Sequence, residues 1–162
     1  MIKHVDTPPA RAIRDLGELR AAVGEELGVS AWYDITQADV DAFARLTRDT
    51  YWVHVDQQRA SDTPLGGTIA HGLFMLSLGP QFVYSLVSFE ELGLGLHYGY
   101  NRVRFPAPLP VGSRIRMRLA LTETAELRGG TQATLTQTFE RSGSDRPVCV
   151  AEALLFFAAA AT

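Results

Sequence analysis

The stretch from Gly72 to Val87, Gly-Leu-Phe-Met-Leu-Ser-Leu-Gly-Pro-Gln-Phe-Val-Tyr-Ser-Leu-Val, constrains the fold of this chain more than any other. It is apolar on all sides at helical spacing, and a helix without a polar face has to be enclosed. It is shorter than the roughly 20 apolar residues that cross a bilayer. The enclosure must therefore come from the rest of the chain. Pro80 has no N–H to give to a helix, so it kinks this one, marks its middle or starts a second.

The wrapper follows at once. Leu94 to Phe105, Gly112 to Glu126, Thr131 to Arg141 and Val148 to Ala158 read as long strands. The breaks between them carry turn formers: Pro106-Ala107-Pro108, Arg128-Gly129-Gly130 and Ser142-Gly143-Ser144-Asp145. Arg114, Arg116 and Arg118 alternate with Ile115, Met117 and Leu119, and Thr134, Thr136 and Thr138 with Ala133, Leu135 and Phe139. Each such strand has one wet and one buried face, so an antiparallel sheet curled around one helix is expected. Upstream, Leu16, Leu19, Ala22, Val23 and Leu27 predict a peripheral amphipathic helix ending at Gly28, after a loose lead-in through Pro8 and Pro9. Ala31 to Ile35 has strand composition. Thr36, with Asp39 three residues on, caps a helix whose apolar face is Val40, Phe43, Ala44 and Leu46 or Thr47, and which ends near Arg48. Asp56 caps a short turn over Gln57 to Ala60.

At 162 residues the chain predicts one domain, with residues 1–29 as an N-terminal extension. A hydrophobic content of 46%, a charged content of 20% and a net charge of −3 describe an ordinary soluble protein, and Met1 to Asp6, without the apolar stretch of a signal peptide, leads to the expectation of a cytoplasmic one. Basic residues are dispersed, which argues against a nucleic-acid partner, and the lack of a long apolar span argues against a membrane. Cys149, alone and within an apolar strand pattern, reads as a small core residue rather than a nucleophile or a zinc ligand. Gly-x-Gly-x-x-Gly and P-loop patterns do not occur, and Ser77 and Ser85 lie in the apolar helix rather than in a nucleophile elbow.

Chemistry concentrates between residues 47 and 76. Asp49 and His54 stand five positions apart in a segment too rich in turn formers and aromatics to continue the preceding helix. A carboxylate and an imidazole sharing one water can hold it and remove a proton near neutral pH. Gly66, Gly67 and Gly72 then deliver the buried helix, whose first N–H groups are unpaired within it and attract a carbonyl oxygen or an anion. His71 reads as a loop support through hydrogen bonding. His4 and His97 lack partner context, and Arg102 and Arg104 read as a solvated face.

These residues resemble the MaoC-like branch of the hot-dog fold, which contains the (R)-specific enoyl-CoA hydratases. The family pattern Gly-Asp-x-Asn-Pro-x-His stands here as Arg48-Asp49-Thr50-Tyr51-Trp52-Val53-His54, and its Ala-His-Gly as Ala70-His71-Gly72. A second block, Asn101-Arg102-Val103-Arg104-Phe105-Pro106-Ala107-Pro108-Leu109-Pro110-Val111-Gly112, is similar to the family's strand-to-turn signature. Trp52-Val53-His54-Val55-Asp56 is most similar to a subgroup that includes nodulation protein N. The resemblance implies an α+β hot-dog fold over roughly residues 30 to 157, with no metal and no cofactor. It implies Asp49 and His54 as the pair that handles water and the Gly72 N–H as the group that polarises a thioester carbonyl. Tyr51, Trp52 and His71 are placed as substrate-binding. An acyl-CoA or acyl carrier protein thioester is the implied substrate, and a homodimer the implied assembly. The chain departs from the pattern where Arg48 replaces Gly, Tyr51 replaces Asn, Trp52 replaces Pro, and Pro80 replaces a Ser that assists in some members. Two other readings stay open: a hot-dog acyl-CoA thioesterase, and a non-catalytic acyl-CoA-binding or partner subunit.

Overall fold

A computed structural model of the chain describes residues 10–89 and 92–158. The lead-in with His4, Pro8 and Pro9 and the last residues of the C-terminal alanine run lie outside the described residues. In chain order the elements are β1 (Arg11–Ala12), α1 (Leu16–Ala21), β2 (Glu26–Val29), β3 (Tyr33–Asp34), α2 (Gln37–Thr47), α3 (Trp52–Val55), α4 (Gln57–Ser61), α5 (Gly72–Ser77), α6 (Gly79–Leu86), β4 (Val87–Ser88), β5 (Gly95–Arg104), β6 (Arg114–Leu127), β7 (Gly130–Arg141) and β8 (Cys149–Ala158).

The main sheet has the order β2-β6-β7-β8-β5, with β3 also pairing with β6, and every pair in it is antiparallel. α5 and α6 pack on its apolar face, where Phe82 meets Phe139 and Tyr33 edge to face and Phe74, Met75, Val83 and Leu86 are buried. This is the α+β hot-dog arrangement. The apolar stretch resolves into two helices: Leu78 ends α5, and Gly79 with Pro80 opens α6, where a missing proline N–H costs nothing. The break has a partner across the core. The amide of Gln137, 1% exposed, lies so close to Gly79 that a Cβ there would sit 2.9 Å from Oε1.

Alternation on β6 is as expected, with Ile115, Met117, Leu119 and Leu121 fully buried. The outward arginines are paired: Arg116 reaches Glu140 at 2.7 Å, and Arg118 bridges Glu140 and Glu26. The hydrogen bond from Arg116 holds the Glu140 carboxyl below the usual carboxylate range, with Arg118 adding to the effect against desolvation. On β7 the pattern is less clean. Thr134, expected on the wet face, is buried, and Thr131 and Gln137 share the inner face with Ala133, Leu135 and Phe139. Thr134 lies opposite Leu154 of β8, which is itself buried.

Three upstream expectations change. The helix drawn to Leu27 stops at Ala21, and Glu26–Val29 instead joins the main sheet beside β6. Ile13, Leu19, Ala22 and Leu27 thus belong to the core rather than to a peripheral layer. The strand expected over 31–35 shortens to Tyr33–Asp34, and Leu46 of α2 is 81% exposed rather than packed. The caps of α2 and α4 form as read: Asp39 N–H donates to Thr36 at 3.2 Å and Arg59 N–H to Asp56 at 3.0 Å. Cys149 is buried, and burial pushes its thiol up to about 12. No helix among the described residues is long and apolar enough to cross a membrane.

Candidate active site

Two short segments meet at the start of α5. The first leaves α2 through Arg48, whose left-handed backbone (φ 64°, ψ 15°) ends the helix and turns Asp49 out of it. Only glycine adopts this conformation without steric cost, which explains why the related pattern carries Gly here. The turn is lightly tied: Asp49 N–H reaches Thr47 Oγ1 at 3.4 Å, and Tyr51 N–H reaches Asp49 Oδ1 at 3.5 Å. α3 then carries His54 inward.

The second segment, Thr68 to His71, is a strap bonded along both edges. On one side Ala70 N–H donates to the Leu109 carbonyl at 2.8 Å and Val111 N–H to the Thr68 carbonyl at 2.9 Å. On the other, Ile69 N–H donates to the Val53 carbonyl at 3.0 Å, and His54 Nδ1 lies 2.7 Å from the Ile69 carbonyl. Gln37 joins the two sides, its Nε2 donating to the His54 carbonyl at 2.8 Å and its Oε1 accepting from the Thr68 hydroxyl.

A carbonyl oxygen can only accept, so these contacts assign the ring tautomers. His54 carries its hydrogen on Nδ1, which leaves the Nε2 lone pair as its basic atom. His71 Nε2 lies 2.9 Å from the Asp49 carbonyl and donates to it, which leaves Nδ1 as the lone-pair atom, buried and without a partner among the described residues. The two rings stack at 3.7 Å between centroids, and Phe43 closes the far side of His71 at 5.1 Å. His71 is 3% exposed. It therefore supports the Asp49 turn and the His54 ring from within, and offers no open surface to a substrate.

The carboxylate of Asp49 remains open, its side chain 56% exposed, with Oδ2 3.9 Å from His71 Nε2. Ligand-capable atoms of Asp49, His54 and His71 lie within 4.8 Å of one another, so the described residues bring the sequence-derived pair together with His71 behind it. Such a cluster could hold a small cation. A ring that donates one N–H to a backbone carbonyl keeps its other nitrogen as a lone pair, so the same arrangement can also set a carboxylate and an imidazole around one water. Tyr51 is 60% exposed and its ring lies 5.7 Å from Trp52, which in turn carries the Arg59 guanidinium 4.3 Å over its face. It is the backbone N–H of Tyr51, not its phenol, that faces Asp49.

Gly72 opens α5, and its N–H belongs to the first turn, where no intrahelical acceptor exists. Three residues of this site escaped the sequence reading. Gln37 and Thr68 look like an ordinary helix-start residue and an ordinary loop residue, and only the fold joins them. Phe105 lay within a recognised block, but its contact with Gly72 is visible only in three dimensions.

The MaoC like domain family matches residues 18–141. Over 150 residues the chain is 44% identical to 3-hydroxyacyl-thioester dehydratase Z of Mycobacterium tuberculosis, a match spanning 92% of this chain and 99% of that one. Over 140 residues it is 39% identical to nodulation protein N of Rhizobium leguminosarum bv. viciae, across 84% and 86% of the two chains. In three dimensions it is similar to the MaoC-like dehydratase of Rhodospirillum rubrum, with a TM-score of 0.69 at 18% identity over 86% of this chain and 95% of that one. With the family matched over most of its length and relatives of this identity aligned nearly end to end, the chain belongs to the MaoC-like dehydratases, hydro-lyases of the hot-dog fold.

Proposed function

We propose that this hydro-lyase is an (R)-specific enoyl-CoA hydratase, which adds water to a trans-2-enoyl thioester and, in reverse, dehydrates the (R)-3-hydroxyacyl thioester. Support for an acyl-thioester substrate comes from the Mycobacterium relative, named as a 3-hydroxyacyl-thioester dehydratase. Coenzyme A as carrier and the (R) configuration come from the family resemblance.

The observation that carries the reading is the His54 tautomer. With Nδ1–H held by the Ile69 carbonyl, Nε2 is a lone pair on a ring that clusters with the open carboxylate of Asp49. Asp49 accepts one hydrogen of a water molecule and orients it, while His54 Nε2 takes the other as the oxygen bonds to C3. The proton is then delivered to C2 on the same face. Negative charge that develops on the thioester oxygen is met by the Gly72 N–H. Water adds across the double bond with no change of oxidation state, so the balance calls for no redox partner.

The chain is further proposed to act as a homodimer. β5 is an edge strand with Leu96 and Tyr98 exposed at 49% and 64%, surface that a second copy would cover. Sedimentation equilibrium of the purified protein tests this, and a monomer at all concentrations would refute it.

The deciding experiment for the reaction is hydration of crotonyl-CoA, followed by loss of absorbance of the conjugated thioester, with chiral analysis of the product. (R)-3-hydroxybutyryl-CoA is expected. Release of free thiol without hydration would identify a thioesterase, and the (S) product would refute the stereochemical assignment.

A further inference from the structure

The block from Asn101 to Gly112 matches the family, yet no step of the reaction above uses it. Its two halves both back the site. Leu109 and Val111 bond one edge of the Thr68–His71 strap. Phe105, just past the end of β5, lays its ring on Gly72. A Cβ added to Gly72 would lie 2.9 to 3.0 Å from Cε2, Cδ2 and Cε1 of that ring. Two of these carbons are on opposite sides of the ring, so the face itself fills the space a side chain at position 72 would need.

This contact does not bury the ring. Phe105 is 42% exposed, whereas Phe74, Phe82 and Phe139 of the core are 7%, 5% and 0% exposed. A large apolar surface thus stands open to solvent beside the amide assigned to the thioester oxygen. An aromatic face left open at a binding site is the kind of wall against which a flexible chain can pack.

We propose that Phe105 is a binding determinant for the thiol arm of the substrate: the pantetheine chain leaves the thioester across the exposed part of this ring. The placement rests on reading the start of α5 as the thioester site. Two observations favour the thiol arm over the acyl tail. The residue is 42% exposed, and beside water an amide-containing arm is at home and an alkyl tail is not. At the opposite end of β5 from Leu96 and Tyr98, Arg102 and Arg104 are exposed in the single chain and form no ion pair with any described residue, a setting suited to the phosphate at the end of that arm. Coenzyme A and acyl carrier protein share the phosphopantetheine, so the ring serves either carrier.

Saturated thioesters, which cannot be hydrated, separate this proposal from the reaction. Binding of butyryl-pantetheine, octanoyl-pantetheine and butyryl-CoA is measured calorimetrically for the full chain and for Phe105→Ala and Phe105→Leu. Phe105→Ala is expected to weaken all three by about the same factor, roughly 5- to 20-fold, as loss of most of an aromatic contact implies. Phe105→Leu restores most of the affinity, whereas on crotonyl-CoA Phe105→Ala raises KM while kcat falls less than about threefold. A loss that grows from butyryl to octanoyl would assign the ring to the acyl tail and overturn the proposal. So would a loss confined to butyryl-CoA, which would mean contact with the nucleotide, or no loss at all. Should Phe105→Ala fail to fold, Phe105→Leu, Phe105→Met and Phe105→Val give a graded series, and affinity independent of side-chain size overturns it equally. A protein that shows this Phe105 dependence but does not hydrate crotonyl-CoA would sink the reaction while leaving the arm site standing.

Discussion

The two segments that build the site are held in opposite ways. The Thr68–His71 strap has hydrogen bonds of 2.7 to 3.0 Å on both edges, and it orients the His54 ring through a backbone carbonyl. The Arg48–Tyr51 turn has contacts at the outer limit of hydrogen bonding, a non-glycine residue in the left-handed region, and an exposed carboxylate at its tip. His71 is the link, buried against the strap and donating to the turn. The difference teaches that the base is placed by main-chain geometry, which few substitutions can alter, while the carboxylate sits on a turn that tolerates change. Of the four departures from the family pattern, Arg48 and Tyr51 fall in the turn, Trp52 opens α3 directly after it and Pro80 lies in α6, and none falls in the strap.

If both segments serve one water, removing either group should be severe. Asp49→Asn and His54→Ala are each expected to lower kcat by about 10² to 10⁴, and the double variant by little more. Steady-state hydration of crotonyl-CoA measures this, and near-wild-type turnover in either folded variant would break the pairing of turn and strap.

Gln37→Ala tests the stitching between the segments. It leaves the buried Thr68 hydroxyl without its acceptor and the His54 carbonyl without this donor, and should cost about 1 to 3 kcal/mol in urea unfolding. A change within error would show that the strap is held by its backbone bonds alone.

Arg48→Gly acts on the turn. Relief of the left-handed backbone is worth about 1 kcal/mol, partly offset by the freer unfolded chain, so a gain between zero and about 1 kcal/mol is expected. A clear loss in thermal unfolding would mean that the Arg48 side chain contributes more than its backbone costs.

The smallest effect belongs to Tyr51. Its phenol makes no hydrogen bond to Asp49, so Tyr51→Phe should change kcat/KM by less than about twofold, while Tyr51→Ala shifts preference among C4, C8 and C12 enoyl-CoA. A large, uniform loss in Tyr51→Phe would instead make the hydroxyl a partner of the carboxylate during turnover.

Much of this was written locally in the chain. The periodicity of Arg114 to Leu121 displayed one buried and one wet face because side chains on a strand alternate whatever surrounds them. Thr36 and Asp56 announced helix starts because a cap is satisfied within a few residues. Asp49 and His54 were legible because a known spacing surrounds them. Other features depend on residues far apart in sequence. Glu26–Val29 reads as the end of an amphipathic helix and becomes a strand because β6 offers an edge to pair with, and tertiary pairing outweighs weak propensity. The alternation of β7 puts Gln137 on the buried face, but only the fold shows that its amide lies against the break at Gly79.

The sequence by itself determined that an apolar helical stretch would be wrapped by an antiparallel sheet, and that a carboxylate and an imidazole would stand near its start. Hydrophobic pattern and turn chemistry are local properties, and they suffice for that. Only the tertiary structure decided which nitrogen of His54 is basic, that His71 is buried support, and that Phe105 takes the place of a side chain on Gly72. Each of these depends on a hydrogen-bond acceptor or a ring brought in from elsewhere in the chain, and such a partner leaves no mark on the residues around it.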